Sequence, residues 1–469
     1  MDRMSPLDAT FLHVEDGITH MHIASCARFE GPPPPYDEVV ELFRRKLPLV
    51  PRYRQRVRFV PGDLGRPVWV DDPHFLLEYH VRHTALPPPG GDDDLRRLMG
   101  RLMSQPLDRS RPLWETWVVE GLADGTWALI SKIHHCMADG VSGTDLMSVV
   151  LDDRRDPPPS PPVEPWAPGP EPSDAELVRE ALRDMVASPL AALGRVPELL
   201  GQPQRLVERT KDVLAGARSM SSVLRPNTAL SIEGHIGPHR RWAWSAATLD
   251  EVKLVRESFG GTVNDVVLTA ISGGFRELLV ARGEPVDGVV VRSLVPVSVR
   301  AADDHSTNNQ VASIIAELPV GIADPVERLR SVTAHMVALK ESHQPDTGVV
   351  VLEAAEITPA PFVALGLRAG TLALRHVVQR NVNTVTTNVP GPRQALYACG
   401  REMLAYYPFV PLSQGVRTGV AILSYNGKIG FGVTGDWDSV PDVGVLADGI
   451  RHGMDALLTA ARAEERLGA

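Results

Sequence analysis

An alternating strand that runs directly into two histidines constrains the fold of this chain more than any other feature. From Thr126 to Ile133 the apolar side chains of Trp127, Leu129 and Ile133 fall on one side, which is typical of a strand in a covered sheet. His134 and His135 follow at once, and after three further residues Asp139-Gly140 predicts a tight turn. The histidines are therefore expected on a strand-to-helix connection, where functional side chains are held by a rigid scaffold.

The histidine pair predicts general base chemistry. A neutral imidazole, with a pKa near ~6.5, can accept a hydroxyl proton near neutral pH. Because consecutive strand residues point to opposite faces, only one of the two rings can face a given cavity. We assign the base to His135 and a packing or positioning role to His134; the alternative is a polar cap at the strand end. Asp139 either holds the loop and the ring or serves only as a turn residue.

A second motif begins a helix. Thr262 and Asp265 have the spacing of a capping box, and apolar residues follow at helical intervals. Asn264 and Asp265 are therefore expected in the first helical turn, where an acid is favoured by the helix dipole. They either form a good helix start or shape a reaction chamber.

Three further segments predict local structure. Asn388 ends a β-rich run, and Pro390-Gly391-Pro392 must turn there, because prolines lack donors and glycine permits unusual dihedrals. An ordinary turn explains that segment better than direct chemistry. Pro112-Leu113-Trp114 predicts a buried strand anchor, with Trp114 supplying apolar area. Asn426-Gly427 between two strand-like runs predicts a hairpin.

The length predicts two lobes, because 469 residues exceed what one hydrophobic core usually supports. A proline-dense stretch from Asp156 to Pro172 marks the clearest boundary. The broken helical patterns that follow are typical of linker helices. We predict an N-terminal lobe over 1–153, a linker over 154–234 and a C-terminal lobe over 235–469.

Charge and cysteine content exclude several classes of protein. A formal net charge of -10 argues against a nucleic-acid partner and gives no general attraction to anionic lipid. Cys26, Cys136 and Cys399 are too few and too dispersed for a disulfide framework or a zinc cluster. A nucleophilic role for Cys136 is disfavoured, because adjacent strand residues diverge. We expect a cytoplasmic protein without a metal.

No targeting segment is expected in this sequence. The first residues contain no apolar region of a signal peptide, and no run of about 18 apolar residues appears. The interrupted apolar segment from Phe362 to Leu374 is the nearest candidate for membrane contact, and a core or tunnel-lining helix explains it better. A lipid substrate would therefore be met by a peripheral protein.

These motifs together resemble the bacterial wax ester synthase/diacylglycerol acyltransferases, which belong to the coenzyme A-dependent acyltransferase superfamily. The histidine pair with Asp139 and Gly140 is similar to the superfamily motif HHxxxDG. Further matches run in family order along nearly the whole chain. They are Ser5-Pro6-Leu7-Asp8-Ala9 with Phe11, Pro112-Leu113-Trp114-Glu115, Gly237-Pro238-His239-Arg240-Arg241, Gly261 to Val267, Val295 to Arg300, and Asn388 to Pro392.

The resemblance implies an α/β (α+β) fold of the chloramphenicol acetyltransferase type, with two acyltransferase lobes and a tunnel between them. It implies that His135 deprotonates an acceptor hydroxyl that attacks the thioester of acyl-CoA, a co-substrate, with no separate cofactor. Asp139 would hold the loop against an arginine, for which Arg300 and Arg292 are the candidates.

The implied substrates are a long-chain acyl-CoA and either diacylglycerol, giving triacylglycerol, or a fatty alcohol, giving a wax ester. The implied location is the cytoplasm, peripheral on the inner face of the membrane or on lipid inclusions. Two alternatives stay open: an acyltransferase acting on a secondary-metabolite alcohol, and a non-catalytic lipid-binding paralogue. The sequence leaves the acceptor, the acyl chain length and the oligomeric state open.

Overall fold

The computed structural model describes residues 2–137, 147, 149–158, 166–185, 228–298, 311–341 and 381–468. The labelled helices are α1 (Pro6–Val14), α2 (Tyr36–Lys46), α3 (Leu77–His80), α4 (Asp92–Met103), α5 (Leu249–Phe259), α6 (Val263–Ala281), α7 (Pro325–Glu341) and α8 (Val443–Gly468). The strands before the linker are β1 (Asp2–Arg3), β2 (His22–Phe29), β3 (Gln55–Arg58), β4 (Val68–Asp71), β5 (Val81–Ala85), β6 (Trp114–Glu120) and β7 (Trp127–His134). Those after it are β8 (Glu233–Gly234), β9 (Arg240–Thr248), β10 (Val291–Ser298), β11 (Val311–Leu318), β12 (Thr384–Val389), β13 (Tyr397–Ala398), β14 (Arg401–Phe409), β15 (Gly415–Val416), β16 (Thr418–Tyr425) and β17 (Lys428–Asp436).

The strand that precedes the histidines lies inside the first large sheet. This sheet has the order β13-β14-β2-β7-β6-β5, and β7 pairs antiparallel with β2 on one side and with β6 on the other. All of β7 is buried, as expected for a covered strand. β14 comes from far along the chain and pairs with β2, so the first sheet is not built from residues 1–153 alone. The domain limits at 153 and 235 stay predictions.

The second large sheet has the order β11-β10-β12-β16-β17-β9. β12 pairs parallel with β10 and with β16, whereas the pairs β11–β10, β16–β17 and β17–β9 are antiparallel. The predicted hairpin is confirmed: Tyr425 pairs with Lys428 across a two-residue turn, and Asn426 and Gly427 have φ values of 44° and 76°. Positive φ at both positions is what a type I′ turn requires.

Glycines allow the two sheets to cross at close range. A Cβ atom added at Gly432 in β17 would lie 1.6 Å from the carbonyl oxygen of Pro408 in β14, and one added at Gly430 would lie 2.3 Å from that of Tyr406. The Pro408 carbonyl also accepts a hydrogen bond from Trp242 Nε1 in β9 at 3.0 Å. β14 therefore belongs to one sheet by pairing and contacts the other by packing.

Arg240 joins the loop after α1 to the C-terminal part of the chain. The side chain is 3% exposed, and its guanidinium donates to the carbonyls of Ile18 at 2.6 Å and His239 at 2.9 Å. Asp436 lies 4.0 Å away. Burial lowers the pKa of Arg240 to about 10, so the group stays charged at neutral pH. The segment Gly237 to Arg241, which resembles a motif of the family, therefore connects distant parts of the chain.

Part of the predicted linker packs against the first half of the chain. Residues 174–185 are helical. Leu177 and Ala181 are buried in one apolar cluster with Val60, Val68 and Val70. Among the described residues, no helix combines the length and apolar character needed to cross a membrane. The segment from Phe362 to Leu374 lies outside the described residues.

Gly432→Ala should weaken the crossing of the two sheets. The new methyl group would overlap the Pro408 carbonyl, so we expect the free energy of unfolding to fall by about 1–3 kcal/mol, measured by urea unfolding.

Gly444→Ala is the matched control, because nothing lies within 4 Å of a Cβ atom added there and the position is helical. This variant should be neutral or more stable by up to ~1 kcal/mol. Equal stability of the two variants would contradict the close crossing.

Candidate active site

His135 occupies the first position of a short 3-10 turn, His135–Met137, directly after β7. Its backbone N–H donates to the carbonyl of Met21 at 2.8 Å. The ring of Phe11 in α1 stacks on the imidazole, with centroids 3.9 Å and planes 22° apart. The residue is half-buried. Its Nδ1 is buried and has no hydrogen-bond partner in the part of the chain that the structure describes.

This environment favours a neutral ring. Burial is the main cause that lowers the pKa of His135 to about 4, and the neighbouring His134 acts in the same direction against a backbone contact. An imidazole with that pKa is unprotonated at neutral pH and can accept a proton. The ring is therefore in the state that a general base requires.

His134 is fully buried and points away from that environment, into a cluster of polar side chains. Its Nδ1 accepts a hydrogen bond from the backbone N–H of Cys136 at 3.1 Å. Its Nε2 lies 3.3 Å from Oε2 of Glu15, the residue that ends α1. His22, the direct cross-strand partner of His134 in β2, places its own Nε2 3.2 Å from Oε1 of Glu15. The two histidines of the motif thus contact different surroundings. The sequence predicted this from strand alternation, but β7 ends at His134 and the 3-10 turn that follows sets the direction of His135.

Glu15 is a buried carboxylate in the middle of this cluster. Burial raises its pKa, but the contacts with His134 and His22 more than offset it, and the pKa lies below its usual range. Nε of Arg109 donates to Oε2 at 3.0 Å. Burial lowers the pKa of His22 to about 3, against the opposing effect of Glu15. The cluster therefore combines an ionised carboxylate, an arginine and a neutral His22.

Pro112-Leu113-Trp114 lies beside the histidines as a buried anchor. The carbonyl of Leu113 accepts a hydrogen bond from the backbone N–H of His134 at 2.9 Å. Leu113 and Trp114 are 0% exposed, and Trp114 Nε1 donates to the carbonyl of Tyr53 at 2.8 Å. His80 stacks on the indole with centroids 4.6 Å apart. The predicted packing role of this segment is therefore observed, and it bonds the strand end that carries His134.

Asn264 and Asn388, which sequence reasoning singled out separately, lie together. Asn388 Nδ2 at the end of β12 donates to Asn264 Oδ1 in the first turn of α6 at 3.2 Å. Asp265 is buried, and its carboxylate accepts a hydrogen bond from the backbone N–H of Thr262 at 2.8 Å. The capping box predicted from Thr262 and Asp265 is confirmed. Asp265 thus has a structural task, whereas a chamber-shaping role for the asparagines stays a prediction.

Pro390 and Gly391 follow the end of β12 in irregular backbone, and the turn that the sequence predicted at residues 390–392 is not observed. The backbone N–H of Gly391 donates to Ser424 Oγ at 3.1 Å, and an added Cβ atom would lie 2.1 Å from the Ser424 carbonyl oxygen. Glycine is therefore required by the close approach of the neighbouring strand end. Pro390 is exposed, and this segment fits the structural role that the sequence favoured.

The loop of the motif is only partly described. Asp139, Gly140 and Arg300 lie outside the described residues. Arg292 is on β10, where its Nε lies 3.6 Å from Oε1 of Glu317 on the neighbouring strand β11. The choice of an arginine partner for Asp139 therefore stays a prediction.

A surface groove lies where β14 contacts β17. Tyr406, Tyr407, Lys428 and Arg451 are among its lining residues, and His135 is not. Lys428 Nζ already donates to the carbonyl of Leu404 at 2.8 Å. The groove is therefore a feature of the sheet crossing, separate from the histidine pair.

Sequence reasoning missed Glu15 and His22, and it noted Phe11 only through the family resemblance. Phe11 and Glu15 are four residues apart, so a helix places both on one face. That four-residue spacing was the one sequence feature that could have indicated a shared role for Phe11 and Glu15. Nothing local indicated that Glu15 is buried, because a glutamate at a helix end is usually solvated.

Two protein-family models together match most of this chain. The model described as the wax ester synthase/diacylglycerol acyltransferase catalytic domain matches residues 4–267, and that described as the WS/DGAT C-terminal domain matches residues 307–458. The "Probable diacyglycerol O-acyltransferase tgs1" of Mycobacterium tuberculosis H37Rv is 37% identical, over 98% of this chain and 96% of that protein. The protein named tgs2 of the same strain is 32% identical, over 94% of this chain and 95% of its own length.

Solved structures confirm the two-lobed fold. The wax ester synthase/diacylglycerol acyltransferase from Marinobacter aquaeolei VT8 is 25% identical, with a TM-score of 0.67 over 98% of this chain and 99% of that one. The first condensation domain of the calcium-dependent antibiotic synthetase, in complex with substrate analogue 3a, has a TM-score of 0.59 at 14% identity. It covers 98% of this chain and 96% of that one, and this second likeness shows the fold alone.

Acid should destabilise the protein through its buried neutral histidines. Burial lowers the pKa of His80 and of His135 to about 4, against 6.5 for an unperturbed ring. Between these values the unfolded chain binds protons that the folded chain does not, so stability is complete above pH 6.5 and falls as the pH drops toward 4. Urea unfolding at several pH values in this window measures the slope.

His80→Phe should make that slope shallower, whatever its effect on absolute stability, because one of the titrating rings is removed. His74→Phe is the control, since His74 is exposed. An unchanged slope in His80→Phe would contradict the assignment.

Proposed function

The chain belongs to the wax ester synthase/diacylglycerol acyltransferase family, and we propose that it transfers a long-chain acyl group from acyl-CoA to the hydroxyl of diacylglycerol. The product is triacylglycerol; with a fatty alcohol as acceptor it is a wax ester. The observation that carries this proposal is the environment of His135, a half-buried imidazole at a strand end whose pKa is lowered to about 4.

In the proposed reaction His135 moves one proton. The acceptor hydroxyl gives its proton to the imidazole as its oxygen attacks the thioester carbonyl. The tetrahedral adduct then collapses, the carbon–sulfur bond breaks, and the imidazolium returns the proton to the leaving thiolate. We assign both transfers to Nε2, because Nδ1 is buried. A lowered pKa makes the imidazolium a stronger acid, which favours the second transfer.

Positioning of two substrates supplies much of the remaining rate. Acyl-CoA and the acceptor enter a tunnel between the lobes and meet at His135, so a bimolecular step becomes an effectively unimolecular one. Asp139 holds the loop of the motif, against Arg300 or Arg292. Asn264 at the start of α6 and Asn388 at the end of β12, joined by a hydrogen bond at 3.2 Å, shape the chamber. The proposed reaction uses acyl-CoA as a co-substrate and no separate cofactor.

We further propose that the protein meets its lipid substrates at a surface. A diacylglycerol and a triacylglycerol partition into membranes or lipid inclusions, so the acceptor must be taken from one of them. The formal net charge of -10 provides no general attraction to anionic lipid. Peripheral contact at the membrane or at an inclusion therefore depends on apolar contacts with the substrate and its surroundings.

The central test supplies the purified protein with palmitoyl-CoA and dioleoylglycerol, and in a parallel reaction with hexadecanol. Release of free thiol and formation of triacylglycerol or wax ester are measured together. We expect His135→Ala to lower the turnover about 10²- to 10⁴-fold, which is the usual value of general base catalysis. Circular dichroism checks that the variant is folded.

His74→Ala is the matched histidine control, because that side chain is exposed, and it should keep the wild-type turnover. Near-normal turnover in a folded His135→Ala variant would overturn the role of His135. Absence of thiol release with both acceptors would overturn the proposed activity.

A further inference from the structure

We propose that Phe11 and Glu15 are positioning residues for proton transfer, and that α1 uses them to hold both rings of the histidine pair. This inference rests on the proposed function of His135. It assigns a task to the opening motif Ser5-Pro6-Leu7-Asp8-Ala9 with Phe11, which the reaction itself does not use.

The start of α1 is fixed firmly enough for such a task. Ser5 is the N-cap and accepts a hydrogen bond from the backbone N–H of Asp8 at 3.1 Å. Pro6 follows at the first helical position, where its missing N–H is not needed. The backbone N–H of Met4 donates to the carbonyl of Pro67 at 2.9 Å, which ties the segment to the chain just before β4. Asp8, Ala9 and Leu12 are buried, so one face of the short helix is locked in place.

The end of α1 then presents two side chains to the histidine pair. Phe11 and Glu15 are one helical turn apart, and the backbone N–H of Glu15 donates to the carbonyl of Phe11 at 3.2 Å. The Phe11 ring stacks on His135 with centroids 3.9 Å apart. Oε2 of Glu15 lies 3.3 Å from Nε2 of His134. A single rigid element therefore contacts both members of the pair.

The contact of Glu15 reaches His135 through the backbone. Because Nδ1 of His134 accepts the N–H of Cys136, that nitrogen carries no proton in the neutral ring, and the proton is on Nε2. Nε2 lies 3.3 Å from Oε2 of Glu15, an electrostatic contact without hydrogen-bond geometry. Glu15 thus favours the tautomer of His134 that holds the N–H of Cys136, the residue directly after His135.

The contact of Phe11 acts on the ring itself. An aromatic face at 3.9 Å excludes water from one side of the imidazole and limits its rotation. Excluding water disfavours the charged form, in agreement with the lowered pKa of His135. Among the residues that the structure describes, the charged and titratable groups around the pair include Asp8, Glu15, His20, His22, Arg52, Arg109, Lys132 and Cys136.

Glu15→Gln tests the carboxylate while keeping the shape of the side chain. We expect kcat to fall about 10- to 100-fold with KM for both substrates within about twofold, because a misplaced reacting group slows the chemical step without weakening binding. In a His135→Ala background the same change should cause no further loss, since Glu15 acts through that ring. Wild-type kcat in Glu15→Gln, or an equal loss in both backgrounds, would overturn the role of Glu15.

Glu115→Gln is the matched control for loss of a buried glutamate. Glu115 in β6 lies 3.1 Å from Arg82 and is 7% exposed, yet it has no contact with His134. It should lose stability comparable to that lost by Glu15→Gln while keeping kcat. If it loses kcat equally, a general loss of structure explains both variants and the proposal fails.

Phe11→Ala tests the stacked ring by a pH profile. Removing the phenyl group admits water to His135 and raises its pKa toward 6.5. Since only the neutral ring accepts a proton, the acidic fall of kcat/KM should move to higher pH, while Glu15→Gln should leave the position of that fall unchanged. An unshifted profile in a folded Phe11→Ala variant would overturn the role of Phe11. Activity of the wild type and its loss in His135→Ala test the proposed function separately.

Discussion

The crossing of β14 and β17 is the constraint on which the position of the site depends. β14 completes the first sheet by pairing with β2, and β2 pairs in turn with β7, which ends at the histidine pair. On its other side β14 packs against β17 of the second sheet, at a distance that only glycine at position 432 permits. A continuous series of backbone contacts therefore connects the second sheet to His135. One strand, β14, therefore contributes both to the relative placement of the two sheets and to the position of His135.

The histidine pair illustrates how a protein separates two chemically identical groups. His135 is stacked on an aromatic ring and half-buried, whereas His134 is fully buried beside a carboxylate. The first environment disfavours a proton on the ring, and the second fixes where the proton on the ring lies. The burial of the Glu15 carboxylate is costly for charge, and it is offset by hydrogen bonds from Arg109 and by electrostatic contact with His22 and His134. The two histidines thus differ in their surroundings and not in residue type.

The sequence predicted the features that local physics determines. β7, the capping box at Thr262 and the hairpin at Asn426-Gly427 all follow from spacing within a few residues. The insertion of β14 into the first sheet could not be predicted in this way, because the pairing partner of a strand depends on contacts between distant segments. The burial of Glu15 could not be predicted for the same reason, because it depends on Arg109 and two histidines that only the fold brings together. The contact of Asn264 with Asn388 joins two motifs that the sequence could only place separately.

The late position of β14 in the chain has a consequence for synthesis on the ribosome. Residues 401–409 emerge long after the histidine pair, so β2 has one unpaired edge during most of translation. Unpaired edges invite pairing with other chains. A nascent chain therefore contains His135 well before the surroundings of that residue are complete, and a product truncated before β14 would leave this edge of β2 unpaired.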